Sequence, residues 1–272
     1  MDVISRIVLI LALVAALVTG CGSSAAGGKP TVVAAFYPLA YAAERIGGAD
    51  HVVDLTPPGV EPHDLELAPR TVATIERANV VLYLGHGFQP AVAAAAKQGS
   101  GTRVDLLAGL PLHGSDPHVW LDPILYARVV RRIAAALHRP AAPLLAELRR
   151  LDEEYRRGLH DFKRHEIVTS HEAFGYLAHR YGLHQVAITG ITPESEPSPQ
   201  RLAGVIQTVR RTHATTVFFE TLVSPRLAKT VARDAGARTA VLDPIEGAEG
   251  GETYFTLMRK NLIALRQALA CR

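Results

Sequence analysis

Eight short apolar runs, rich in β-branched residues, alternate with longer segments of helical periodicity, and four of them fall in each half of the chain. Strands that alternate with helices favour parallel sheets covered by helices on both faces. The predicted strands are Thr31–Tyr37, His51–Leu55, Asn79–Leu84 and Arg103–Leu107 in the first half, and Glu166–Thr169, Gln185–Thr189, Thr215–Glu220 and Thr239–Leu242 in the second. The sequence therefore predicts an α/β protein with two parallel-sheet lobes.

Helices are predicted between these strands from the spacing of apolar residues and from start and stop signals. Serine followed by proline, at Ser198-Pro199 and Ser224-Pro225, is typical of a helix start, and Gly236 is typical of a helix end. The predicted helices are Tyr41–Ile46, Ala68–Ala78 and Pro90–Lys97 in the first half, and Glu172–Tyr181, Pro199–Thr212, Pro225–Ala235 and Glu252–Ala270 in the second.

A leucine-rich segment separates the two halves. Apolar residues recur every three or four positions over residues 141–162, which predicts a helix about 33 Å long. No flexible Gly/Ser linker interrupts this region, so the helix is expected to join the lobes rigidly and to permit only small closing motions. The predicted division is an N-terminal lobe over 31–140, a backbone helix over 141–163 and a C-terminal lobe over 164–272.

The first 20 residues have the build of a secretory signal peptide, because a 13-residue apolar run is too short for an ordinary membrane span. Small residues before Cys21 resemble a bacterial lipobox, which implies cleavage before Cys21 and lipidation of its sulfur. An ordinary signal peptide with an incidental cysteine is the alternative. Residues 22–28 then predict a flexible tether. The expected location is extracytoplasmic, at the cell membrane; Cys271 has no second cysteine to pair with there.

The charge balance excludes one class of partner. A formal net charge of +3 over 272 residues, with no concentrated run of Lys or Arg, is not typical of a nucleic-acid-binding surface.

Three histidines and an aspartate follow the ends of four predicted strands: His63, His118, His171 and Asp243. Ligands of open parallel sheets collect beyond the carboxyl ends of the strands. Three imidazoles and one carboxylate suit zinc better than manganese, which prefers oxygen ligands. Each residue alone is equally consistent with a solvated loop, a helix end or a turn; together they predict a metal site in the cleft between the lobes.

Other residues are candidates for supporting roles. Glu220, at the end of a predicted strand, is placed to orient a ligating histidine. Tyr37 and Trp120 are predicted to wall the cleft, and His113 is a candidate for a transient metal contact. Glu172 is interpreted as a helix N-terminal residue.

Five segments carry a family resemblance: PPGVEPHDLELAPR, DPHVWLDP, TSHEAFGYLAHRYGL, GITPESEPSP and VLDP. They resemble the metal-binding lipoproteins that serve as substrate-binding components of zinc and manganese ABC transporters. The resemblance implies two α/β lobes joined by a backbone helix. It also implies that His63, His118, His171 and Asp243 hold Zn²⁺ as cargo for a permease and its ATPase. Histidine at the third position resembles the zinc-type branch, but the His-rich loop of many such members is absent, because residues 108–117 hold only His113.

Two other functions remain as alternatives. A zinc hydrolase is disfavoured because Gly175 stands where an H-E-x-x-H motif needs its second histidine, and because a fourth ligand would fill the position of the catalytic water. A surface adhesin with a structural metal would be equally consistent with an anchor. The sequence thus predicts a monomeric, non-enzymatic zinc-binding transport component, with a manganese-binding component or a metal-stabilised adhesin as the alternatives.

Overall fold

The computed structural model describes residues 31–271. The predicted signal peptide, Cys21 and the tether to residue 30 lie outside the described residues. Within residues 31–271, every helix is too short or too polar to cross a lipid bilayer.

The first sheet contains four parallel strands in the order β2-β1-β3-β4. Val33 of β1 pairs with Val53 of β2 on one side and with Val81 of β3 on the other. The order reverses direction at β1, so this sheet has a switch point between β1 and β3, where clefts form in doubly wound folds. The strands are β1 (Val32–Ala34), β2 (Val52–Asp54), β3 (Val80–Tyr83) and β4 (Thr102–Asp105).

The second sheet repeats this arrangement with the order β6-β5-β7-β8, again entirely parallel. Its strands are β5 (Glu166–Thr169), β6 (His184–Ala187), β7 (Thr216–Phe219) and β8 (Arg238–Val241). All eight predicted strands are confirmed, each within a few residues of its expected bounds. The fold class is the predicted one: two parallel α/β lobes.

Nine α-helices connect or flank the strands of the described chain. They are α1 (Tyr37–Gly47), α2 (Pro69–Arg77), α3 (Pro90–Gln98), α4 (Pro123–Leu137), α5 (Ala142–Gly158), α6 (Gly175–Tyr181), α7 (Pro199–Thr212), α8 (Arg226–Ala235) and α9 (Tyr254–Leu269). Helix α6 begins at Gly175, three residues later than predicted, so the interpretation of Glu172 as a helix N-terminal residue is wrong. Residues 171–174 lie outside the helix, so His171 stays near the end of β5.

Helix ends follow the predicted signals in most places. The Ser198 side chain accepts a hydrogen bond from the Arg201 amide and caps α7. Gly236 ends α8 with φ of 75°, a conformation that costs glycine nothing. Helix α8 differs, because Pro225 occupies its capping position and the Ser224 hydroxyl accepts only a long hydrogen bond, 3.5 Å, from the Arg226 amide.

Two packed helices, α4 and α5, connect the lobes. Helix α5 ends at Gly158, so it is about 25 Å long and shorter than the sequence predicts. It is embedded in the protein through the apolar residues Leu144, Leu148, Leu151 and Tyr155, all buried. One hydrophobic cluster runs through the N-terminal sheet, α5 and α9. A continuous core of this kind resists independent movement of the lobes.

Candidate metal centre

His63 reaches the cleft from the N-terminal lobe, on a short 3-10 turn, Pro62–Asp64, that follows β2. Glu61 fixes this turn, because its Oε1 accepts a hydrogen bond from the His63 amide at 3.2 Å. Gln89 holds the same turn from the other side by donating from Nε2 to the Pro62 carbonyl at 3.1 Å. Two side-chain hydrogen bonds therefore hold the turn that carries the His63 ring.

His118 also comes from the N-terminal lobe and is fully buried. It lies between β4 and α4, immediately before the 3-10 turn Val119–Leu121. Asp116 Oδ1 accepts a hydrogen bond from the His118 amide at 2.9 Å and lies 2.7 Å from His118 Nδ1. The carboxylate thus orients the ring and leaves Nε2 directed into the cleft.

His171 enters from the C-terminal lobe, two residues after β5, and is also fully buried. Glu220, directly after β7, supports it: Glu220 Oε1 accepts from the His171 amide at 3.2 Å, and Glu220 Oε2 lies 2.6 Å from His171 Nδ1. Ser170 donates its hydroxyl to Glu220 Oε1 at 2.5 Å. Glu220 is thus placed beside a site histidine, as the sequence predicts.

The three histidines meet at their Nε2 atoms, and Glu246 completes the group. His118 Nε2 lies 3.3 Å from His63 Nε2 and 3.3 Å from His171 Nε2. Glu246 Oε1 lies 3.3 Å from His63 Nε2 and 3.4 Å from His118 Nε2. One potential ligand atom from each of the four residues lies within 4.8 Å of the others. Ligand atoms about 2.0–2.1 Å from a tetrahedral zinc ion are about 3.3–3.4 Å apart, which matches these separations.

The fourth position of this group differs from the sequence prediction. Asp243 does not belong to it; its Oδ1 instead accepts a hydrogen bond from the Ile245 amide at 2.7 Å, so it shapes the turn that follows β8. Glu246, three residues later, occupies the place that the sequence reading assigned to Asp243. The physical reason is the turn: Ile245 adopts φ of 60°, which is rare for a β-branched residue and redirects the chain into the cleft.

Trp120 joins the two halves of the site. Its indole nitrogen donates to the Pro244 carbonyl at 2.7 Å, and its own carbonyl accepts from the Tyr254 hydroxyl at 2.6 Å. The indole also packs on His118, with ring centroids 5.0 Å apart. Trp120 therefore couples the His118 turn of one lobe to the turn that carries Glu246 in the other.

Aromatic rings wall the N-terminal side of the cleft. Phe88 packs edge-on against His63 at 4.6 Å, and Phe36 lies between Phe88 and Trp120. Trp120 is part of this wall, as predicted. Tyr37 lies at the start of α1 and packs against Tyr41, and its predicted place in the wall of the cleft stays a prediction. The sequence reading missed Phe36 and Phe88.

The charges and pKa shifts of the four-residue group favour the binding of a cation. Burial opposes protonation of His118, but Asp116 and Glu246 outweigh it and raise the pKa of His118 to about 9. Burial raises the pKa of Glu246, but the adjacent His118 and His63 outweigh it and hold that pKa below its usual range. Burial lowers the pKa of His63. The Asp116 and Glu246 carboxylates thus favour protonation of His118, and His118 in turn favours ionisation of Glu246.

A second acid, Glu61, lies beside the group. Burial, reinforced by the charge of Glu246, raises the pKa of Glu61 to about 9. Burial likewise raises the pKa of Asp243 to about 6. At neutral pH the raised pKa therefore keeps Glu61 protonated and uncharged beside the group, whereas Asp243 is largely ionised.

His113 lies away from the four-residue group. Its ring stacks on Tyr176 at 4.6 Å and approaches His179 at 5.1 Å, and both histidines are exposed. Asp116 and Glu246 were missed by the sequence reading. Asp116 could have been recognised as a carboxylate two residues before a candidate ligand, whereas Glu246 depends on the shape of its turn.

The donor set fits a metal ion. Both Glu246 oxygens are buried, and neither accepts a hydrogen bond of normal geometry from the described residues. The His118 Nε2 atom, which lies 3.3 Å from the Nε2 atoms of His63 and His171, also cannot satisfy both of them by hydrogen bonds alone. A cation bound between them would satisfy all four groups.

Comparison with known proteins defines the class to which this fold and site belong. Residues 32–268 match the family described as zinc-uptake complex component A, periplasmic (ZnuA). The chain belongs to this family, whose members are substrate-binding components of transport systems rather than enzymes.

Curated relatives share about a third of their residues with the chain. The zinc-binding protein AdcA of Streptococcus pyogenes serotype M1 is 32% identical, over 89% of this chain and 56% of that protein. This chain thus spans just over half the length of AdcA. The high-affinity zinc uptake system protein ZnuA of Bacillus subtilis is also 32% identical, over 93% of this chain and 94% of that protein.

Solved structures show the same fold. The laminin-binding protein of Streptococcus agalactiae, described as bifunctional with adhesin and metal-transporting activity, matches with a TM-score of 0.83 and 31% identity, over 88% of this chain and 99% of that one. The Zn(II)-bound ZnuA-like domain of Streptococcus pneumoniae AdcA matches with a TM-score of 0.76 and 33% identity, over 89% and 99%.

Proposed function

We propose that the chain captures Zn²⁺ outside the cytoplasm and passes it to the permease of an ABC importer. The observation that carries this proposal is the convergence of three Nε2 atoms and one Glu246 oxygen within 4.8 Å of one another, with four of the six separations at 3.3–3.4 Å. His63, His118, His171 and Glu246 are the proposed ligands. Asp243 is proposed to shape the turn beside them.

Binding is proposed to exchange a proton for the metal. In the metal-free site the proton on His118 balances the Glu246 charge. Arrival of Zn²⁺ displaces this proton, since a protonated imidazole cannot ligate. Asp116 and Glu220 hold their histidines in the orientation that presents Nε2, so little reorganisation is needed.

Release is proposed to depend on the division of ligands between the lobes. His63 and His118 belong to the N-terminal lobe, and His171 and Glu246 to the C-terminal lobe. A small separation of the lobes, imposed by docking on the permease, would therefore halve the coordination. Because the core is continuous, a movement of this kind is expected to be small.

Zinc is favoured over manganese by the donor set. Three nitrogens and one carboxylate at tetrahedral spacing suit Zn²⁺, whereas Mn²⁺ prefers octahedral oxygen ligands. The partners proposed with this role are the permease and its ATPase. The chain is proposed to act as a monomer, held at the membrane by a lipid on Cys21, with lobes at 31–140 and 164–272 joined through 141–163.

The test is elemental analysis of residues 22–272 purified without added metal, with a chelator-competition titration of the stripped protein. One tightly held zinc per chain and a folded metal-free form are expected. His63→Ala and His171→Ala should each weaken binding by about 100-fold or more. His184→Ala is the matched control, because His184 is exposed on β6 away from the cleft. Equal affinities in all three variants would contradict the assignment.

Adhesion is a second candidate, favoured by the similarity to the bifunctional laminin-binding protein of S. agalactiae. A solid-phase laminin-binding assay with zinc-loaded and stripped protein tests it. Binding that exceeds a bovine albumin control would support an added adhesive role; the absence of binding would leave zinc capture as the sole proposal.

A further inference from the structure

Helices α7 and α8 form an outer layer on the C-terminal sheet. Right-handed crossovers from β6 to β7 and from β7 to β8 place both helices on the same face of this sheet, and the two helices pack together. A small separate hydrophobic cluster lies beneath them, built from residues such as Val168, Val205, Val217 and Val231. The opposite side of each helix is exposed to solvent.

This layer concentrates positive charge. Residues 199–238 contain seven Lys or Arg residues and two carboxylates, Glu220 and Asp234, so their net charge of +5 exceeds the +3 of the whole chain. Glu220 is buried beside His171 and does not reach the surface of the layer. The positive charge of the chain is thus concentrated in this segment.

The cations share one exposed surface. On α8, exposed Arg226, Lys229 and Arg233 recur at three- and four-residue spacing, opposite the buried side of the helix. On α7, exposed Arg210 donates to the Asp234 carbonyl at the end of α8, so it lies beside this stripe. We call the following five exposed residues the basic face: Arg210, Arg211, Arg226, Lys229 and Arg233.

Little within the protein neutralises the basic face. Arg233 makes an exposed ion pair with Asp234 at 2.9 Å, which contributes little in water. The other four cations take part in no ion pair with the described residues. Glu194 and Glu196 line a hollow together with Arg226, at the end of α8 nearest the cleft. The positive charge of the basic face is therefore densest at the other end of α8.

The chemistry of the basic face favours lipid headgroups over a protein partner. Protein interfaces centre on buried aromatic and apolar anchors. Among the described residues the exposed large apolar side chains are Val53, Val60, Val241 and Ile263, and none belongs to α7 or α8. A charged surface without apolar anchors is suited to the phosphates of a membrane.

We propose that the basic face binds the anionic phospholipid headgroups of the membrane at which the chain is held. The statement that the chain lies near a membrane rests on the lipid anchor of the proposed function. The charge complementarity between the basic face and anionic lipids does not depend on that function. Arg226 lines the same hollow as Ser170, the neighbour of the site residue His171. Binding therefore turns the outer layer of the C-terminal lobe towards the bilayer, while Glu194 and Glu196 in the same hollow are repelled by the anionic headgroups.

The test is co-sedimentation of residues 31–272, which contain every element of both lobes, with phosphatidylcholine vesicles with and without about 30% phosphatidylglycerol. The triple variant Arg226→Gln, Lys229→Gln, Arg233→Gln removes the stripe on α8. Each cation is expected to contribute about fivefold, so the variant should lose about 100-fold in binding to anionic vesicles. The matched control changes three exposed cations of the N-terminal lobe by the same charge: Arg70→Gln, Arg77→Gln, Lys97→Gln.

Support requires binding of the parent chain to anionic vesicles only, a loss in the α8 variant and near-parent binding in the control. Equal losses in the two triple variants, or no binding of the parent at about 0.05 M salt, would overturn the proposal. Absence of vesicle binding together with impaired zinc uptake by the α8 variant in cells would overturn it in favour of an acidic protein surface. Zinc titration of each variant reports folding and tests the metal site separately. If the triple variant does not fold, Lys229→Gln alone must weaken binding about fivefold.

Discussion

A comparison of Glu246→Gln with Asp243→Asn tests which carboxylate belongs to the metal site. The structure places Glu246 with His63, His118 and His171, whereas the sequence predicts Asp243. Both changes replace an acid by an amide of the same shape, so packing is preserved. Glu246 Oε1 lies 3.3 Å from His63 Nε2 and is buried, whereas Asp243 accepts a hydrogen bond from the Ile245 amide. Asparagine retains an oxygen that can accept that bond.

The magnitude follows from the four-residue group. Zinc sites with four protein ligands contribute about 10–16 kcal/mol, so one ligand accounts for about 3 kcal/mol, or about 100-fold in Kd. Glu246→Gln also removes the single negative charge that faces the cation between three neutral imidazoles. We therefore expect a loss of about 100-fold or more for Glu246→Gln, and of about tenfold or less for Asp243→Asn, which acts from outside the group.

The assay is competition with a chromophoric zinc chelator at fixed pH, with circular dichroism of both stripped variants as the check on folding. The reasoning is refuted by the reverse order of affinities, because Asp243 would then be the fourth ligand and the turn at Ile245 would not direct Glu246 to the metal. Losses of similar size would show that neither carboxylate acts as the sole fourth ligand.

Four further predictions concern His118 and the two residues that support it, Asp116 and Trp120. Since the pKa of His118 is raised to about 9, zinc must displace its proton, and affinity should rise about tenfold per pH unit from pH 7 to about 9; a flat profile in chelator competition contradicts this. Protonation of His118 also stabilises the folded, metal-free protein. This contribution is fully present below the unfolded-state pKa of about 6.5 and is lost as the pH rises through the folded-state pKa of about 9. Thermal unfolding of the stripped protein should therefore begin at a lower temperature at pH 10 than at pH 7. Asp116→Asn removes the carboxylate from His118 and should weaken zinc binding by about 10–100-fold and flatten the pH profile, and retention of both would refute its orienting role. Trp120→Phe retains an aromatic ring but removes the hydrogen bond to Pro244, so urea unfolding should show a loss of about 1 kcal/mol, while unchanged stability and affinity would show that the lobes are not coupled there.

The predictable part of the site is the part that follows strand ends. His63, His118 and His171 each lie in the segment that follows a strand of regular pattern, and the carboxyl ends of parallel strands gather ligands whatever the details of the loops. Glu220 directly follows β7, and its predicted place beside a histidine rests on the same ground. These placements need only the alternation of strand and helix, which is encoded locally.

The pattern of strand ends does not favour Glu246 over Asp243 as a ligand. Asp243 is the first carboxylate after β8, and the general rule selects it. The structure departs from the rule because Ile245 takes a left-handed conformation and Trp120, from the other lobe, binds the Pro244 carbonyl. Both are consequences of packing between segments that are distant in the chain.

The sequence by itself determined the two parallel sheets, the helices between them and the three histidines, because periodicity, capping residues and strand ends are properties of neighbouring residues. The tertiary structure alone decided that Glu246 faces the metal site, that Asp116 orients His118, and that cations spread over residues 210–233 form one basic face. These three outcomes depend on the relative positions of side chains from different elements, and such distances are set by the packing of the whole core rather than by any local pattern.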